Sequence, residues 1–140
     1  MNQRLALHVL ASGSRGNAAV VEDTATGKGV LVDCGICKRD FFARCAEAGF
    51  DPARLSGILV THEHTDHVSG LATLTKQLGV PVYATAPTLD RLERKVPALA
   101  QLGRTLEAGT GFQLGELWVE SFSTPHDAAG SVGYAVTGGG

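Results

Sequence analysis

Short apolar runs, broken by glycine and polar turns, set the rhythm of this chain. Residues 5–11 and 18–22 read as strands, a turn covers Asp23 to Gly27, and a third strand is expected at 29–33. A helix is expected over about 38–48, with Gly49 in the position that stops it. Gly57-Ile58-Leu59-Val60 is a short β-rich segment, and the spacing of Leu71, Leu74 and Leu78 predicts a helix over about 68–78, ended by Gly79. A strand at 80–84 and a helix from Pro87 to Lys95 follow, with the proline favourably placed in the first turn. Residues 97–111 read as a loop with a short turn, and strands at 112–114, 117–122 and 132–136 complete the pattern.

Strands and helices alternate, so the class is α/β or α+β, with helices covering one face of a sheet. The 140 residues, 44% of them hydrophobic, suffice for one compact domain with a core. Twelve basic and fourteen acidic residues leave a formal charge of −2, which excludes a chain that binds nucleic acid by bulk charge alone. No run reaches the roughly 18 apolar residues of a membrane helix. Leu5 to Ala11 follows Arg4, but it is short and interrupted by His8, so a first strand is expected rather than a signal peptide. The expectation is a cytoplasmic protein that does not engage a membrane; no protein partner is inferable.

The three cysteines are Cys34, Cys37 and Cys45, and an odd number without a secretion signal argues against a disulfide framework. Cys34-Gly35-Ile36-Cys37 has the C-x-x-C spacing of redox motifs between a strand and a helix, where a helix N-terminus would lower a thiol pKa. A redox or non-catalytic metal-binding module is therefore one reading of the chain.

His62-Glu63-His64-Thr65-Asp66-His67 carries more information than any other six residues. Three imidazoles and a carboxylate gather there, between an expected strand and an expected helix, where α/β proteins place their chemistry. In extended backbone alternate side chains share a face, so His62 and His64 can grip one ion together. Asp66 and His67 are adjacent and converge only if the chain turns into a helix. The spacing suggests two neighbouring sites, His62 with His64 and Asp66 with His67. Such ligands suit zinc, and also manganese or iron.

The hexad resembles the H-x-H-x-D-H signature of the metallo-β-lactamase superfamily. Leu31-Val32-Asp33-Cys34-Gly35 resembles the Asp-x-Gly that precedes it there. The resemblance implies that Asp33 supports the metal-binding loop from behind the ligands; as a bare sequence feature, Asp33 is equally a helix N-cap. Ser123-Thr124-Pro125-His126-Asp127 resembles the third metal motif, so His126 is implied as the ligand that completes the site of His62 and His64.

Leu10-Ala11-Ser12-Gly13-Ser14-Arg15-Gly16-Asn17-Ala18 is similar to the opening of the WalJ/YycJ-like branch, which contains DNA exonucleases. Read from its residues, Ser12, Gly13, Ser14, Gly16 and Asn17 form either a phosphate-cradling loop or a plain turn between strands.

The resemblance implies an αβ/βα sandwich of two similar halves with the metals between them at one edge. This chain would supply the first half and the start of the second. A bridging aspartate and a final histidine ligand are expected after the third motif, yet no Asp, Glu or His follows Asp127. The expectation is therefore a partial domain over residues 1–140, inactive alone. The implied chemistry is hydrolysis with two divalent ions, zinc favoured, and with Asp66 both ligating and orienting the nucleophile. DNA phosphodiester cleavage is the first reading; thioester hydrolysis of the glyoxalase-II type is the second.

Overall fold

The computed structural model describes residues 4–124 and 130–138. Six strands form one sheet in chain order: β1 (Leu5–Ala11), β2 (Ala18–Asp23), β3 (Lys28–Val32), β4 (Leu55–Leu59), β5 (Val82–Thr85) and β6 (Gly103–Leu106). β1, β2 and β3 are joined by tight turns and pair antiparallel. From β3 to β6 all pairs are parallel, because each connection crosses over through a helix. Those helices are α1 (Lys38–Ala48), α2 (Thr65–Val68) with α3 (Leu71–Leu78), and α4 (Ala86–Leu92) with α5 (Leu99–Leu102). A second, antiparallel sheet joins β7 (Gly111–Leu114), β8 (Leu117–Ser123) and β9 (Val132–Gly138).

Strand alternation sorts the core into two layers. Val20, Leu31, Ile58 and Val82 meet Phe41 of α1, Leu71 and Leu74 of α3, and Leu92 of α4. Their neighbours Val30 and Leu59 point the other way, against Leu114, Leu117 and Val119 of the small sheet. The order of layers is helices, six-stranded sheet, three-stranded sheet. Helices cover one face only, as the alternation of elements predicts. Among the described residues no helix is long and apolar enough to cross a membrane.

Three elements depart from expectation. The segment 97–111 is not a plain loop, because it holds α5 and β6. β6 is an edge strand whose Arg104 and Thr105 are exposed, so it lacks an apolar alternation and is set by pairing with β5. The single helix expected over 68–78 is two, parted at Ser69-Gly70. There the Gly70 amide donates to Cys34 O at 2.9 Å, and any Cβ would collide with the Ile36 carbonyl. α4 stops at Leu92, short of Lys95.

A candidate metal centre at the strand ends

β3 and β4 run parallel side by side, so their carboxyl ends deliver Asp33 and Thr61 to the same edge of the sheet. The Asp33 amide still donates to Leu59 O at 2.8 Å, after which the chain leaves the sheet through a left-handed turn at Asp33, φ 59°. Aspartate tolerates that conformation better than most residues. The turn buries Asp33, leaving 5% of its side chain exposed. Three donors compensate. The Thr61 amide reaches Oδ1 at 2.8 Å, the Thr61 hydroxyl reaches Oδ2 at 2.7 Å, and His67 Nδ1 lies 2.6 Å from Oδ2.

These contacts fix the protons. A carboxylate only accepts, so His67 donates from Nδ1. This bond is the main reason the His67 pKa is raised; burial opposes it, and the charges of Asp33 and Asp66 add to it. The Thr61 hydroxyl has one hydrogen and gives it to Asp33. Its oxygen can then only accept from His62 Nδ1, 2.9 Å away. In their neutral form both imidazoles are thereby held with the proton on Nδ1 and the lone pair on Nε2, the form in which Nε2 can ligate a metal. The carboxylate of Asp33 thus stands behind two histidines, one directly and one through Thr61. The capping alternative for Asp33 is not what the fold uses: the N-cap of α1 is Cys37, without a side-chain hydrogen bond.

Sequence reasoning missed Thr61. Its only signal was its place immediately before the hexad. Its backbone matters too, since Thr61 O accepts from the Val132 amide of β9 at 2.9 Å.

The hexad divides at His64, the N-cap of α2. His62 is buried and His64 exposed. The His62 ring lies 4.5 Å from that of His64 and 4.0 Å from that of His67, centroid to centroid. The three imidazoles therefore lie side by side in one cluster, as two neighbouring sites would have them. Glu63 turns to the opposite side and accepts from Arg91 Nη1 of α4 at 3.0 Å. The single turn of α2 makes the adjacent Asp66 and His67 converge, with Asp66 Oδ2 3.5 Å from His67 Nε2. Among the described residues no three His, Cys, Asp or Glu side chains close around a single point. The chemistry of the set still fits a divalent cation, since oriented Nε2 lone pairs gather beside a carboxylate. His126 lies outside the described residues.

The β1–β2 turn packs against this cluster. Ser12, Gly13, Ser14 and Arg15 are exposed, and Gly16 is buried. The Asn17 backbone donates to Asp66 O at 2.7 Å and accepts from the Gly35 amide at 2.8 Å. Its side-chain amide approaches Asp66 Oδ2 at 3.2 Å and His67 Nε2 at 3.4 Å.

Cys34 of the C-x-x-C segment is not an activated thiol. Cys34 is buried beneath the α2–α3 junction, and burial pushes its pKa up to about 12, the reverse of the expected lowering. Cys37 is exposed, and both thiols are free.

The sequence profile described as the metallo-beta-lactamase superfamily matches residues 11–138. The chain belongs to that superfamily. Its likeness to exodeoxyribonuclease YycJ of Bacillus anthracis is 38% identity over 128 residues, covering 91% of this chain and 48% of that protein. To exodeoxyribonuclease WalJ of Streptococcus pneumoniae (strain D39) it is 34% over 127 residues, covering 86% of this chain and 45% of the relative. The crystal structure of the metallo-beta-lactamase SMB-1 superposes with a TM-score of 0.74 at 25% identity, over 91% of this chain and 54% of that one. The chain thus spans about half the length of each of these three proteins, and its mixed α/β fold is that of the solved metallo-beta-lactamase.

Proposed function

We propose that this chain carries the ligand-bearing part of a two-metal phosphodiesterase that degrades DNA as an exonuclease. The observation that supports it most is the likeness of nine-tenths of the chain to exodeoxyribonuclease YycJ. His62 and His64, with His126, would hold one ion; Asp66 and His67 would share the second. Zinc suits this set best, with manganese or iron as alternatives. Bound divalent ions would supply polarisation of a phosphoryl oxygen and activation of water at neutral pH.

The chain's own residues do the rest. Asp33 and Thr61 hold the imidazoles in the competent tautomer. Asp66, an acceptor only, would orient the attacking water by taking its hydrogen bond. The exposed Ser12–Arg15 turn is tied to Asp66 through Asn17, so it would meet the phosphates beside the scissile bond, with Arg15 adding positive charge. The partner is then DNA, and the compartment the cytoplasm.

The test uses the full-length protein. Its metal content is measured by elemental analysis after dialysis, and its activity on end-labelled single- and double-stranded DNA is set against a glutathione thioester. Stepwise release of mononucleotides, lost in His62→Ala together with bound metal, is expected. Thioester hydrolysis without DNA cleavage would refute the reading.

A further inference from the structure

The side chain of Asn17 makes more contacts at the candidate centre than a turn residue needs. Its Nδ2 carries two hydrogens and faces four acceptors: Gly13 O at 2.9 Å, Asp66 O at 3.2 Å, Asp66 Oδ2 at 3.2 Å and His67 Nε2 at 3.4 Å. Its Oδ1 accepts from the Gly13 amide at 3.2 Å, which fixes the orientation of the group with the nitrogen toward Asp66 and His67. The contact with His67 requires a lone pair on Nε2, as in the neutral ring that donates from Nδ1 to Asp33. When His67 is neutral in that form, its Nε2 lone pair and the Asp66 carboxylate oxygen, 3.5 Å apart, repel unless a positive group lies beside them. The positive end of the Asn17 dipole sits beside both.

We infer that Asn17 is a positioning residue of the metal centre, holding Asp66 and His67 at the separation from which they share one ion. Gly13 O and Asp66 O are backbone acceptors outside the ligand set. The amide therefore keeps partners for both hydrogens when the ligand lone pairs are given to a cation. A purely structural role is covered separately, because the backbone of Asn17 already docks the turn through Asp66 O and the Gly35 amide. Removing the side chain leaves those two bonds in place. The inference rests on the two-ion part of the proposal above and not on the substrate, so a protein that binds two ions but spares DNA would defeat that proposal and leave this one standing.

The experiment compares Asn17→Ala and Asn17→Ser with the full-length wild type. Manganese alone is titrated and followed by elemental analysis and by the electron paramagnetic resonance of coupled manganese pairs; melting temperature is recorded in parallel. Serine keeps an acceptor for the Gly13 amide and carries the test if the alanine variant folds poorly. The expected result is a second-ion affinity weakened about 10–100-fold, with the first ion retained and the melting temperature within a few degrees of wild type. Wild-type occupancy of both ions would overturn the inference. So would tighter second-ion binding, loss of both ions with a collapsed melting temperature, or a wild type that holds only one ion.

Discussion

Replacing Asp33 by asparagine separates the charge of this side chain from its shape. Asparagine tolerates the left-handed backbone at φ 59° as aspartate does, so the turn should survive. Asn Oδ1 can still accept from the Thr61 amide, but the other arm becomes a donor facing the Thr61 hydroxyl and His67 Nδ1. His67 can meet it only by accepting at Nδ1, which moves its proton to Nε2, the nitrogen beside Asp66. That tautomer cannot ligate.

The expected loss of metal affinity is about 10–100-fold, or about 1.4–2.7 kcal/mol. Folding should suffer separately, because bonds to a charged acceptor are worth about 1.5–3 kcal/mol net and some are re-formed by the amide. At roughly 2.1 cal/mol/K per residue of unfolding entropy, a loss of about 1–3 kcal/mol lowers the melting temperature by about 3–10 °C. Zinc affinity comes from competition with a chelating indicator, and the imidazole tautomers from nitrogen-15 chemical shifts. Unchanged zinc affinity with Nδ1 of His67 still protonated would refute the reasoning. Asp33→Ala is the poorer probe, since it adds left-handed strain and a vacancy.

Gly35→Ala should destabilise the fold by about 3 kcal/mol or more, because its Cβ would land on the Asp66 carbonyl, and backbone cannot swing aside as a side chain can; a wild-type melting temperature would count against the close approach. Arg91→Ala, breaking the partly exposed pair with Glu63, should change stability by no more than about 1 kcal/mol in urea unfolding. The hydrogen bond from Arg4, opposed by burial, holds the Asp23 carboxyl below its ordinary value. Its contribution is then fully present above the unfolded-state pKa of about 3.9 and is lost as pH falls through the folded-state value, so Asp23→Asn should flatten the acid limb of a stability profile between about pH 2 and 6. Cys37→Ser, at an exposed thiol, should leave metal content and hydrolysis by the full-length protein unchanged; loss of activity with metal still bound would restore the thiol reading.

What the sequence disclosed was local. The hexad announces itself because its histidines and aspartate are neighbours in the chain, and α1 spans Lys38–Ala48 as expected, since Gly49 terminates it in a left-handed conformation. What stayed hidden depends on distant partners. β6 has one buried residue, Leu106, and exists because β5 offers it an edge. Asp33 and His67 are 34 residues apart, and Asn17 and Asp66 are 49 apart. No pattern in either stretch reveals which atom of one will face which atom of the other. Thr61 looked like an ordinary strand-end residue until the adjacent strand brought Asp33 against its hydroxyl.

The seams at Gly35 and Gly70 divide the neighbourhood into a chassis and an interchangeable fascia. Backbone presses on backbone at both seams, with no room for a side chain. Variation there would misplace Asp66 or the start of α3. Ser12, Ser14 and Arg15 of the turn that Asn17 ties to Asp66, and Thr65 within the hexad, are exposed and meet no such backbone contact. A randomised library of the full-length protein confined to those four positions, with both glycines kept, should melt close to wild type, whereas the same randomisation at either glycine should not fold.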